Sequence, residues 1–202
     1  MTETTRTDTS PLRRRAVFLD RDGTLTEHRH YLSRPDDLVL QPGIGPPLRA
    51  LQNADFALVV VTNQSGLARG MFHQAALDLM HQRLRELLAR HSVQLDGIYV
   101  CPHHPDGTVP PFGALCPCRK PAPGMLRQAA QDLDLALSES WMIGDSACDI
   151  GAGRRAGTRT ALIGPQPLAT VTPDMRRVTT ADALYHVLTA ETELMATPCS
   201  SR

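Results

Sequence analysis

Two carboxylates spaced two apart and followed by glycine close the first apolar run of the chain: Asp20, Asp22 and Gly23 in "AVFLDRDGT". Ala16–Leu19 has the composition of a buried strand, and glycine marks a sharp exit from it. Like charges so placed repel, so something positive or reactive belongs at that strand end. Two more polar residues follow apolar runs in the same way, Thr62 after "LVVV" and Asp145 after "WMIG". In an open α/β sheet, ligands bind beyond the carboxyl ends of the strands. Asp20, Thr62 and Asp145 would then converge on one crevice. Two aspartates meeting there need a cation, and oxygen ligands with room for water suit Mg²⁺. A lone Asp after a strand would read as a helix N-cap. Three such ends with Asp-x-Asp-Gly at one of them read as a site.

A second set of residues has metal chemistry of another kind. Cys101-Pro102-His103 and Cys116-Pro117-Cys118 bracket a loop, "HPDGTVPPFGAL", too poor in apolar residues to fold alone. Three thiolates and an imidazole make a tetrahedral Zn²⁺ set with no open position, so this metal is expected to be structural. His104 is the rival to His103 for the fourth ligand. Cys148, in a helical stretch, and Cys199, in a tail, lack the spacing to join and read as plain thiols. An odd total of five cysteines, three of them clustered, fits metal-binding thiolates in a reducing cytoplasm better than disulfides.

The elements that must position these residues alternate. "AVFLD", "FALVVVTNQSG", "LDGIYVC", "SWMIGDS" and "TRTALIG", the last of them, read as strands. "IGPPLRALQNAD", "HQAALDLMHQRLRELLARH", "PAPGMLRQAAQDLDL" and "ACDIGAGRRAG" read as helices between them. This alternation predicts an α/β fold with a doubly wound parallel sheet. One further helix follows Thr179. Residues 1–13 read as a disordered tail, 14–190 as the domain with its zinc loop at 101–118, and 191–202 as a flexible tail. His73, His81 and His91 read as solvated helix positions, and Met71, Met80 and Met125 as gap-filling core side chains.

With 202 residues, the chain has room for one full α/β domain. It carries 21 basic and 21 acidic residues, so no net field draws it to nucleic acid or membrane. Four Phe and one Trp offer little stacking surface for single strands. No apolar run is long enough to span a bilayer, and the N-terminal residues lack a signal-peptide core.

"DRDGT", "VVTNQSG", "CRKP" and "GDSACDI", in this order, resemble the four motifs of the haloacid dehalogenase superfamily of phosphohydrolases. From about Arg15 to Gly164 the chain is similar to the subgroup that hydrolyses heptose 1,7-bisphosphate or histidinol phosphate. The resemblance implies a Rossmann-like sheet and an aspartyl-phosphate mechanism. Asp20 would be the nucleophile and Asp22 the general acid and base. Mg²⁺ would be held by Asp20, Asp145 and the backbone carbonyl of Asp22. Thr62 and Lys120 would stabilise the phosphoryl group, with Asn63, Gln64 and Ser65 beside it. Arg119 would recognise substrate, and so would the loop His28, Arg29, His30 and Tyr31 that overhangs the strand end. The family pattern favours His103 over His104 as the zinc ligand.

Between Asp22 and Thr62 lie only one loop and one helix, which leaves no room for a separate cap domain. The crevice should therefore be open, walled by the His28–Tyr31 loop and the zinc loop. The implied activity is removal of the 7-phosphate from a heptose 1,7-bisphosphate, on the way to nucleotide-activated heptose. The implied partner is a small phosphosugar, with no nucleic acid or membrane, and the chain is expected to act as a monomer. Histidinol phosphate and a 3′-phosphorylated DNA end are the alternative substrates. Asp149 reads as a capping residue or a support to the metal ligands. One departure stands out: relatives usually carry a basic residue after the last motif's aspartate, where this chain has Ser146.

Overall fold

Strands that read as unbroken apolar runs must be covered on both faces, and that requirement organises the molecule. The computed structural model describes residues 13–28, 34–165 and 171–196. Of the expected tails at 1–13 and 191–202, residues 1–12 and 197–202 lie outside the described residues, as do Arg29, His30 and Tyr31. The strands are β1 (Ala16–Leu19), β2 (Ala57–Asn63), β3 (Gly97–Cys101), β4 (Trp141–Gly144), β5 (Arg159–Ile163) and β6 (Met175–Arg177). The helices are α1 (Gly45–Asn53), α2 (Gln74–Ala89), α3 (Gly124–Asp132), α4 (Ala147–Ala156) and α5 (Thr180–Ala196). All strand pairs are parallel, in the order β3-β2-β1-β4-β5-β6.

Alternation along the strands sorts the core into two layers. Val17 and Leu19 of β1, Leu58 and Val60 of β2, and Trp141 and Ile143 of β4 face one side. There they meet Leu48 and Leu51 of α1, Leu77, Met80, Leu84 and Leu88 of α2, and Leu184 and Val187 of α5. Ala16, Phe18, Val59, Val61 and Met142 face the other side, against Met125, Leu126 and Ala129 of α3 and Ala152 of α4. Helix α1 begins on Pro46 and Pro47, whose missing N–H groups cost nothing in a first turn.

Two expectations need correction. Arg159–Ile163 is not the last strand: β6 pairs beyond it, Ala161 opposite Met175. Its three residues, two of them arginine, are too few to show a period. What fixes it is distant in sequence, since the Thr160 N–H and hydroxyl both donate to Asp174 Oδ2, at 2.8 and 2.7 Å. Met71 is exposed rather than core, whereas Met80 and Met125 are buried as expected. Helix α5 runs to Ala196. Among the described residues, no helix is long and apolar enough to cross a membrane.

Strands β1 and β4 are sequentially distant neighbours from which the chain winds outward in both directions. That is the topological switch point, where a crevice opens above the sheet. Between β1 and β2 the described residues form a tight turn, a short 3-10 turn at Pro35–Asp37 and α1, with no inserted domain.

Candidate active site

The register sets the site. Leu19 of β1 lies opposite Val60 of β2 and Ile143 of β4, so Asp20 emerges level with Val61 and Gly144. The Asp20 N–H still donates to the Ile143 carbonyl at 3.0 Å, which holds its side chain at the sheet's edge. Above these ends is a cavity of about 370 Å³. Asp20, Asp22, His28, Thr62, Asn63, Gln64, Ser65, Lys120, Asp145 and Asp149 are among its lining residues. The expected catalytic, Mg²⁺ and substrate-binding residues that are described therefore do meet in one crevice, with the exception of Arg119.

Lys120 is the electrostatic centre. Its buried ammonium lies 2.6 Å from Asp20 Oδ1 and 2.6 Å from Asp149 Oδ1, and donates to the Val61 carbonyl at 2.7 Å. Asn63 fixes the backbone beneath it. The Asn63 amide donates to the Lys120 carbonyl at 3.1 Å, and its Oδ1 accepts from the Lys120 N–H at 3.0 Å. Burial works against the ammonium, but the two carboxylates outweigh it and hold Lys120 charged.

The carboxyl groups are in the opposite situation. Burial raises Asp20 to about 7; Lys120 lowers it, and Asp149 and Asp22 push it up again. Asp145 is also raised, first by burial and then by Asp149. One ammonium is not enough positive charge for this group. The carboxylate oxygens of Asp20, Asp145 and Asp149 can all lie within 4.8 Å of one another. A hard divalent cation with oxygen preference, such as Mg²⁺, fits that donor set and that charge deficit. Gly23 makes the approach possible. It has φ +86, and a Cβ there would fall 2.0 Å from Asp145 Oδ2. Gly144 does the same for Asp149, whose carboxyl carbon lies 2.3 Å from where a Cβ would stand.

Asp149 does one of the jobs anticipated for it, capping, and adds a second that was not. It closes a capping box at the start of α4. Its Oδ2 accepts from the Ser146 N–H at 3.0 Å and from the Ser146 hydroxyl at 2.5 Å. Its other oxygen pairs with Lys120, a contact across 29 positions of sequence that no local pattern announces. The serine that departs from the family pattern is thus the N-cap that holds the partner of Lys120. Ser146→Lys keeps the backbone half of the box and loses the hydroxyl half, at about 1 kcal/mol of stability. It is expected to lower the melting temperature by about 2–4 °C while strengthening anion binding at the crevice mouth. Thermal melts and inhibition by inorganic phosphate check the pair. Loss of neither cap nor stability would show the hydroxyl to be idle.

Arg119 does not line the cavity. Its guanidinium is tied back to the His103 carbonyl at 3.2 Å. His103 in turn directs Nδ1 at the thiols, 3.5 Å from Cys118 Sγ and 3.9 Å from Cys101 Sγ. Cys101 and Cys116 sulfurs are 3.4 Å apart, and the four ligand atoms form one cluster. His104 points elsewhere: its ring nitrogens face the Arg69 guanidinium at 3.2 and 3.3 Å, and Nδ1 accepts from the Asp106 N–H. Soft thiolate and imidazole donors in a closed group of four suit Zn²⁺. Burial drives the Cys101 thiol strongly upward, so a thiolate there needs a metal to balance it.

Sequence reasoning missed several residues. Arg21 is buried and clamps Asp22, and Gly66, Phe72 and Cys148 also line the cavity. His81, expected in solvent, faces Arg21 instead, 3.5 Å from Nη1. The motif spacing showed where Asp20 and Asp22 lie, but nothing in "DRD" says that the arginine turns inward.

Comparison with known proteins follows the same lines. A HAD-hydrolase-like family model matches residues 117–165. The D-glycero-β-D-manno-heptose-1,7-bisphosphate 7-phosphatase of Yersinia pestis is 44% identical over 148 residues, covering 73% of this chain and 79% of that protein. The chain belongs to the HAD-like phosphatases. The same-named enzyme of Photorhabdus laumondii is 41% identical over 157 residues, covering 77% of this chain and 84% of its own length. Among solved structures, D,D-heptose 1,7-bisphosphate phosphatase from B. bronchiseptica, complexed with magnesium and phosphate, superposes with a TM-score of 0.74. It is 31% identical and covers 87% of this chain and 99% of that one.

Proposed function

We propose that this HAD-like phosphatase removes the 7-phosphate of D-glycero-D-manno-heptose 1,7-bisphosphate, with Mg²⁺ at Asp20, Asp145 and the Asp22 backbone carbonyl. The observation that carries the reading is the Asp20 carboxylate at the switch point, grouped with Asp145 and 2.6 Å from the Lys120 ammonium. The names of the relatives support this substrate, and their β designation favours the β anomer. A structural Zn²⁺ at Cys101, His103, Cys116 and Cys118 would shape the loop that delivers Lys120. Free thiols in that cluster favour a reducing compartment such as the cytoplasm.

Each residue then has a task. Asp20 attacks phosphorus as the bond to the sugar oxygen breaks, forming an aspartyl phosphate. Asp22 gives a proton to that leaving oxygen and later takes one from the attacking water, help worth ~10²–10⁴ in rate. Thr62 and the backbone beside Asn63, Gln64 and Ser65 direct donors at the phosphoryl oxygens. Lys120 supplies fixed positive charge as negative charge spreads over them. Bound Mg²⁺ would offset the charge of phosphate and nucleophile together. His28, which lines the cavity, is the described part of the overhanging loop proposed to touch the sugar.

Phosphate release with Mg²⁺ tests the substrate. The panel holds both anomers of the heptose bisphosphate, histidinol phosphate and 3′-phosphorylated DNA. The β-bisphosphate should have the highest kcat/KM. Faster turnover of histidinol phosphate or DNA would overturn the substrate and leave the phosphatase chemistry standing.

The raised carboxyls predict the pH dependence of metal binding. Asp20, at about 7, and Asp145 must both lose protons to ligate, so protons compete with metal below neutrality. Mg²⁺ affinity should rise about tenfold or more from pH 6 to pH 8, with proton release on binding. Calorimetry in two buffers of different ionisation enthalpy measures both. Equal affinity at the two pH values would remove these carboxylates from the metal site.

A further inference from the structure

Arg21 is the largest fully buried side chain among the described residues, 1% exposed, yet it belongs to a loop and lies beside the catalytic crevice. Burying a guanidinium is costly unless every donor is well placed. Here both ends of the residue are pinned. Its carbonyl accepts from the N–H groups of Leu25 and Thr26 at 3.0 and 2.9 Å and from the Thr26 hydroxyl at 3.1 Å. Its guanidinium forks onto Asp22, Nε to Oδ1 at 3.0 Å and Nη2 to Oδ2 at 2.8 Å. Behind it, Nη1 faces His81 Nε2 on α2 at 3.5 Å. Arginine can only donate, so a neutral His81 must present a bare Nε2 there. Burial first, and Arg21 next, push that imidazole down to about 4, which keeps it neutral.

The hydrogen-bond count at Asp22 is asymmetric. Oδ2 accepts from Arg21 Nη2 and also from Gln64 Nε2 at 2.9 Å. Oδ1 accepts only from Arg21 Nε among the described residues. A carboxylate oxygen has two lone pairs, so Oδ2 is saturated and Oδ1 keeps one pair free. Gln64 is itself held, since Nε2 also donates to Thr62 Oγ1 at 2.9 Å.

We propose that Arg21, backed by His81, is a positioning residue that fixes the Asp22 carboxylate so that Oδ1 alone exchanges the catalytic proton. This rests on the reading of the chain as a phosphatase of alkyl esters. In the first step the Oδ1 proton passes to the sugar oxygen as the P–O bond breaks and the Asp20–phosphorus bond forms. In the second, Oδ1 takes a proton from water as its oxygen bonds to phosphorus and the Asp20–phosphorus bond breaks. The clamp also stops Asp22 from swinging to Lys120 or to the metal, which would draw any free carboxylate in this crevice. A lysine at position 21 could keep the charge but not the fork.

The leaving group separates this role from a merely structural one. An alkoxide needs the proton from Asp22, whereas p-nitrophenolate leaves without it. Arg21→Lys should lower kcat on a sugar phosphate at least tenfold more than on p-nitrophenyl phosphate, with KM for both little moved. His81→Leu should show the same selective loss in smaller degree, and His81→Gln, whose amide oxygen can accept from Arg21, should restore most of it. If Arg21→Lys does not fold, the His81 pair decides the matter by the same ratio. Equal losses on both esters, or no loss on the sugar phosphate, would overturn the proposal. Failure of the heptose assignment would look different: the wild type would prefer another alkyl phosphate, and the ratio could be measured on that ester.

Discussion

Asp20→Asn is expected to abolish phosphate release, by about 10⁴-fold or more, while the protein folds as before. The change deletes the nucleophile and a charged metal ligand together. It also leaves Lys120 with Asp149 as its remaining carboxylate partner, so the ammonium stays anchored where the wild type has it. Activity within tenfold of wild type, measured as phosphate release at saturating substrate and Mg²⁺, would exclude Asp20 as the nucleophile.

The same variant makes a stability prediction with a defined sign. The Asp20 carboxyl is raised from 3.8 to about 7, chiefly by burial. A group raised in the fold stabilises it fully below the unfolded value and loses that contribution as pH climbs through the folded one. Wild type without Mg²⁺ should therefore lose stability between about pH 4 and pH 7 through this residue, and asparagine should not. The stability of Asp20→Asn relative to wild type should increase from pH 5 to pH 8 in Mg²⁺-free buffer. Added Mg²⁺ should favour wild type alone, because only wild type has the full ligand set. Thermal melts at both pH values, with and without Mg²⁺, read all of this.

How much of this was legible in the sequence depended on whether a residue's partner lay nearby in sequence. Asp20, Thr62 and Asp145 could be grouped because each ends an apolar run, and parallel strands bring their carboxyl ends to one edge whatever their order. The cysteine–histidine cluster was legible for a similar reason, two short Cys-containing pairs closing one loop. The choice of His103 over His104 needed the family pattern, and the geometry agrees with it: only His103 turns Nδ1 to the thiols. Arg21 was opaque because an arginine between two aspartates reads as solvated. It packs against His81, 60 positions away, and the carboxylate it clamps is held by Gln64, 42 positions from Asp22. Strand β6 was missed because three residues have no period, and its anchor, Asp174 on Thr160, is again a long-range contact. Arg119 was expected to recognise substrate, through the family resemblance and the fork of its guanidinium. The chain turns at Arg119, and its guanidinium meets the His103 carbonyl rather than the cavity.

That contact makes the zinc loop the second large prediction. Freshly purified protein should contain about one Zn²⁺ per chain, as a closed four-ligand site requires. Cys118→Ser replaces a thiolate with a hydroxyl that stays protonated and binds zinc poorly. The loop from His103 to Cys116 then keeps only a few hydrogen bonds to the rest of the fold, chiefly Thr108 and Val109 N–H groups to the Ala68 carbonyl. Two residues on from Cys118, Lys120 would lose its placement between Asp20 and Asp149 and leave buried carboxylates with no cation. Such an uncompensated charge is more damaging than a lost surface contact. The variant should lack zinc, melt about 5–10 °C lower (some 2–3 kcal/mol at this size), and lose about tenfold or more in kcat. Excess Mg²⁺ should not restore the rate, because the defect lies in Lys120 rather than in metal occupancy. Zinc-free wild type with full activity, or a Cys118→Ser variant with unchanged melting, would show that the four side chains hold their loop without a metal.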